Sequence, residues 1–168
     1  MLDSIERALS NEGVAARRIA ANDAAPLEQL NVALAADERN RARELWITPL
    51  LGLDEQLAEG VGLCQFFVEL PFHLQAAAYS DLAALLFYLN NIIPLGAFGL
   101  RHPEGSIWYR NVLVLGPNAA SNGAVAVETV LLISYLVDQL STVIEAVATG
   151  HQTLAQAVAE LGNGTRTA

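Results

Sequence analysis

Residues 80–115, SDLAALLFYLNNIIPLGAFGLRHPEGSIWYRNVLVL, change period midway, and that change decides the fold. Leu82, Leu85, Leu86, Leu89 and Ile93 recur at helical spacing until Pro94, and the residue before a proline is biased away from helix. Beyond it, LGAFGLR (95–101) and SIWYRNVLVL (106–115) carry the aromatic and β-branched residues of strands. HPEG (102–105) joins them, with Pro103 preset in φ and Gly105 easing the exit of a type I turn. A helix and then a hairpin are expected. The polar density of residues 100–110 belongs mainly to the hairpin tip.

Working outward, Gly116, Pro117 and Asn118 break the strand pattern, and a long helix opens with Ser121 or Asn122 as its cap and runs to Gly150. One face carries Ala126, Val130, Ile133, Val137, Leu140, Ile144 and Val147. The other carries Glu128, Tyr135, Asp138, Gln139, Thr142 and Glu145. Residues 152–161 add a short helix, and 162–168 form a loose tail. Upstream, Leu2, Ile5, Ala8 and Leu9 predict a helix over 2–12, stopped at Gly13. After a linker, LEQLNVALA (27–35) and RARELWITPLL (41–51) alternate about the turn-like ADERN, which predicts a second hairpin. A polar connection leads to a third strand, LCQFFVELPF (63–72). The order helix, three strands, helix, two strands, helix predicts an α+β fold, a five-stranded antiparallel sheet with helices packed on it. No repeat or linker divides residues 1–168, so one domain is expected.

With 53% hydrophobic and 16% charged residues the chain lies at the apolar end of globular composition, which implies a large core or apolar surface covered by a partner. The net charge of -9 would repel a phosphate backbone on average, and nucleic acid is not an expected partner. All nine basic residues are arginine, and six fall in the first 43 positions. Arg17, Arg18, Arg39, Arg41 and Arg43 are therefore the candidate anion-binding set, against the commoner reading of solvated turn charges. The opening residues, with acidic side chains and interrupted apolar positions, do not read as a signal peptide, and a cytoplasmic location is expected. Residues 129–137, the longest charge-free stretch of the long helix, are too few for a bilayer that needs about 20, so no membrane partner is expected.

Reactive constellations are scarce. His73, His102 and His151 have no ligand partner at metal spacing, Cys64 sits in an apolar run as a buried thiol, and no serine occupies a nucleophile elbow. The glycines of EGVGL open a strand, which fits no phosphate loop. Glu55 and Glu59 would approach each other only if their loop were helical. His102, Glu104, Tyr109 and Arg110 are the one set from which a small-molecule enzyme could be built. No cofactor, metal or enzymatic activity is expected. Alternation is more informative: Trp46 and Phe67 fall on the more polar side of their strands, and Trp108 shares a side with Ser106 and Arg110. Trp46, Phe67, Trp108 and Arg110 are the candidate protein-binding residues. The alternative is that terminal segments cover them as ordinary core.

The run FYLNNIIPLGAFGLRHPEGSIWYRNVLVL (87–115), with Asn90 and Asn91 ending a helix and a long helix with Asp138 following, resembles the YbjN-like and type III secretion chaperone-like superfamily. Within it, the run is most similar to a cyanobacterial domain family of unknown function. The resemblance implies a helix and sheet sandwich, commonly a homodimer, that binds protein or peptide segments without catalysis. A chaperone-like binding module is the expectation, and a regulatory adaptor for an anionic ligand or nucleic acid is the alternative.

Overall fold

A computed structural model describes residues 1–23, 26–51 and 57–164. The elements are α1 (Leu2–Asn11), β1 (Ala16–Ile19), β2 (Gln29–Leu34), β3 (Arg43–Leu50), β4 (Gly62–His73), a 3-10 turn (Ala76–Ala78), α2 (Tyr79–Ile92), β5 (Ala97–Arg101), β6 (Ser106–Leu115), α3 (Ala119–Ala148) and α4 (Leu154–Gly164). The sheet order is β1-β2-β3-β4-β6-β5. The class is α+β as expected, but the sheet has six strands rather than five. The added strand is β1, Ala-Arg-Arg-Ile, inside the stretch read as linker. Two adjacent arginines erase apolar alternation, and the strand is fixed instead by antiparallel pairing with β2, from Ala16 opposite Val32 to Ile19 opposite Gln29.

The chain divides into two compact units, Met1–Val68 with Arg110–Tyr135, and Glu69–Tyr109 with Leu136–Ala168. In the first, the β2–β3–β4 register aligns Leu30, Ile47 and Phe66 in one row and Val32, Leu45 and Val68 in the next. All six are buried, and each contributes about 1.5–3 kcal/mol of burial. Helix α1 lies against β1 and β2 with Ile5 and Leu9 fully buried. Its Ala8 meets Gly123 of α3 so closely that a Cβ on Gly123 would stand 2.8 Å from that of Ala8. Helix α3 starts earlier than its sequence suggests: Asn118 Oδ1 accepts from the N–H groups of Ala120 at 3.1 Å and Ser121 at 3.2 Å, so Asn118 caps it.

In the second unit, α2 packs on β5 and α4 with Leu82, Leu85, Leu86 and Leu89 buried, the stripe expected from their spacing. Asp81 Oδ2 accepts the Leu154 N–H at the start of α4 (3.0 Å). The Asn90 amide spans the backbone of Phe98. Glu145, expected on the wetted face of α3, is buried instead. The chain reverses at Gly150 (φ 72°), and the His151 and Gln152 N–H groups both bond to the Ala146 carbonyl, enclosing the last turn. Helix α4 continues to Gly164, through part of the expected tail; residues 165–168 lie outside the described residues. The β5–β6 tip is not a type I turn. Gly105 (φ 73°) bonds through its N–H to the Arg101 carbonyl at 2.8 Å, one residue further back than that turn requires, and the His102–Pro103 peptide is cis.

By length and composition α3 could cross a membrane, but more than half of its most apolar window is buried within the chain, where those residues serve packing.

Candidate functional site

On the sheet face opposite the Leu30, Ile47 and Phe66 row, register builds a second row. Arg17 stands opposite Asn31, Asn31 opposite Trp46, and Trp46 opposite Phe67. Directly opposed residues share a face, so four adjacent strands of the first unit present Arg17, Asn31, Trp46 and Phe67 together. Trp46 and Phe67 are half-buried and Arg17 is exposed, with no ion-pair partner among the described residues. Beside Phe67 on β4, Gln65 Oε1 accepts from Arg110 Nε at 2.6 Å. Asn31 is only 6% exposed, and its Nδ2 has no hydrogen-bond partner among the described residues.

The structure thus brings Trp46, Phe67 and Arg110 of the candidate set onto one face of one unit. Trp108 belongs to the other unit. It is half-buried, with its indole lying over Gly99, where a Cβ would come within 2.2 Å of the ring.

The five arginines serve mainly their own chain. Arg18 bonds Asp3 at 2.6 Å and Glu6 at 2.6 Å and lies 3.5 Å from Glu28. Its hydrogen bond and charge hold the Asp3 carboxyl below the usual carboxylate range. Arg41 Nε donates to Asp37 Oδ2 at 2.6 Å, while Asp37 Oδ1 accepts the N–H groups of Arg39 and Arg41. Burial raises the Asp37 pKa, but the hydrogen bonds and charge of Arg41 overcome it and leave the group low. Arg43 is 3% exposed and donates from Nε and Nη2 to the Ala35 carbonyl. Arg18, Arg41 and Arg43 therefore staple turns and edges, Arg39 donates its backbone N–H to Asp37, and among the described residues Arg17 has no ion-pair partner.

The possible enzymatic set does not converge. Tyr109 is buried, donates to the Leu95 carbonyl at 2.8 Å, and burial pushes its hydroxyl pKa up to about 12. His102 and Glu104 sit exposed at the hairpin tip, beside a cleft of about 210 Å³ that also holds Tyr79 and Arg101. Burial likewise pushes the Cys64 thiol up to about 12, so the thiolate needed for nucleophilic chemistry is scarce at neutral pH. Glu59 is exposed, and Glu55 lies outside the described residues. No group of three or more His, Cys, Asp or Glu side chains is placed to hold a metal among the described residues.

A further surface feature lies on α3. Val125, Leu131 and Tyr135, 47%, 51% and 59% exposed, form an outward apolar stripe on the first half of α3 with Leu132. Leu131 and Leu132 fall outside the core stripe that the spacing predicts, on a helix whose opposite face is expected to be polar.

The architecture is that of an α+β protein with helices against an antiparallel sheet. The chain is similar to the crystal structure of YbjN from E. coli, a candidate transcription regulator, with 12% sequence identity, coverage of 84% of this chain and 92% of that one, and a TM-score of 0.47. No family model and no curated protein matches the chain.

Proposed function

We propose that the protein is a non-catalytic, chaperone-like binding module that receives a protein or peptide segment on the sheet face carrying Trp46 and Phe67. The observation that carries this reading is their register: the two aromatics stand side by side, half-buried, among polar neighbours with Arg17 on one flank and Arg110 on the other. Aromatic anchors within a polar rim are the residues that dominate protein interfaces. In this reading the chain is a cytoplasmic homodimer of the type III secretion chaperone-like superfamily, allied to its cyanobacterial branch. The sequence run 87–115 and the acidic composition support that assignment. Trp108 contributes by fixing the β5–β6 hairpin. An anion or nucleic-acid adaptor is the weaker reading, because four of its five arginines have partners within the chain.

Affinity capture from native extract with mass spectrometry tests this, comparing the wild type with Trp46→Ala plus Phe67→Ala and checking by circular dichroism that the double variant is folded. The expected result is partners retained by the wild type and lost by the folded double variant. Retention of the same partners by both would overturn the reading.

A further inference from the structure

The groove between α1 and the first half of α3 lies in the first unit, and neither Trp46 nor Phe67 lines it. Two adjoining depressions of about 420 and 320 Å³ run along it and share Ala8, Asn11 and Ala120. The floor is made of small side chains, Ala8, Ala119, Ala120 and Ala124, with Gly123 set against Ala8. Small residues let another backbone approach closely. The exposed stripe of Val125, Leu131, Leu132 and Tyr135 continues from it along α3.

The charges are distributed unequally. Arg7 lines the first depression, beside positions 119–123 of α3. Glu12 and Glu128 line the second, beside positions 124–131. None of the three has an ion-pair or hydrogen-bond partner for its side chain among the described residues. Along α1, Arg7 and the C-cap residue Glu12 stand five residues apart, about 7.5 Å along the helix at about 1.5 Å per residue. A groove lined by small side chains, with a cation at one end and two carboxylates at the other, is complementary to itself when turned end for end. In an isologous pair residue i meets j and j meets i.

We infer that the α1–α3 groove is a two-fold interface with a second copy of this chain, in which Arg7 of each copy faces Glu12 and Glu128 of the other. The axis passes near Ala124, so the helices run antiparallel, the alanines permit close contact, and the flanking leucines and Tyr135 are withdrawn from water. The inference locates the homodimer proposed above, and it is independent of whether the sheet face binds anything.

Two oppositely charged variants test it: Arg7→Glu, which makes the groove wholly acidic, and Glu12→Arg with Glu128→Arg, which makes it wholly basic. Sedimentation or light scattering at micromolar concentration reads the mass, and circular dichroism confirms that each variant is folded. The wild type is expected to be a dimer. Each variant alone should dissociate about tenfold or more readily, because like charges then meet. An equimolar mixture of the two should form a heterodimer about as tight as the wild type. A monomeric wild type, variants that dimerise as the wild type does, or a mixture that stays monomeric would each overturn the inference. So would a dimer lost only in Trp46→Ala plus Phe67→Ala, which would move the interface to the sheet face and leave the proposed function standing.

Discussion

At the scale of single residues, Gly99 shows how one side chain is required by another. A Cβ at this position would lie 2.2 Å from Trp108 Cζ2 and 2.4 Å from Cη2, well inside contact distance, so an alanine must push the indole off β5. Overpacking of this kind costs about 1–3 kcal/mol. Gly99→Ala should therefore lower the thermal unfolding midpoint and shift tryptophan fluorescence to the red as the displaced ring meets water. Gly116→Ala is the control, since nothing lies within 4 Å of its Cβ position and its φ is not positive, and it should change stability by less than about 0.5 kcal/mol. Equal melting of the two variants would show that Trp108 yields without cost. The sequence places Trp108 on the more polar side by alternation alone, and that much is legible. Its seat over Gly99 is not, because alternation within a strand says nothing about register with the next.

At the scale of elements, the segments read from strong apolar periodicity, α1, α2, α3 and strands β2 to β6, form where their spacing puts them, within a few residues at the ends. What the pattern misses is held by polar groups. Strand β1 owes its place to pairing and to Arg18 bridging Asp3 and Glu6 of α1; α3 begins at the Asn118 side chain; the 102–105 tip closes through a backbone bond to Arg101. Edge strand β5 belongs to the same class. Asn90 Nδ2 donates to the Phe98 carbonyl at 2.9 Å and its Oδ1 accepts the Phe98 N–H at 2.7 Å, so one amide side chain acts as a strand neighbour on the open side of the sheet. Asn90→Ala leaves both groups to water or unpaired and should cost about 1–3 kcal/mol. Hydrogen exchange at the Phe98 amide should quicken with little change at β3. Asn90→Asp keeps the acceptor and loses the donor, so it should slow that exchange relative to the alanine. If the Phe98 amide exchanges at the wild-type rate in both variants, Asn90 does not guard the edge.

For the whole molecule, four titrating groups bound the pH range of stability, and their signs can be worked out. Asp3 and Asp37 have pKa values below the ordinary 3.8 in the folded chain, so the stability they contribute is present above that pH and fades as pH falls through their folded values. Cys64 and Tyr109 act at the other limit. Burial raises them to about 12 from ordinary values of 9.0 and 10.0, so above pH 9 the unfolded chain releases protons that the folded chain retains. Stability must then fall with rising pH, by up to about 1.4 kcal/mol per pH unit for each group once its unfolded form is fully ionised. The net charge of -9 grows more negative over the same interval, and its self-repulsion acts in the same direction. The expected outcome is a urea midpoint that is level near neutrality, begins to fall close to pH 9 and steepens past pH 10 as Tyr109 joins. Cys64→Ala should delay the onset to about pH 10 while lowering the plateau through the lost packing. Below pH 9 the native thiol should resist alkylation at the rate the unfolded chain shows. A midpoint unchanged up to pH 10.5, or a Cys64→Ala variant with the wild-type onset, would mean that the buried thiol is not linked to folding.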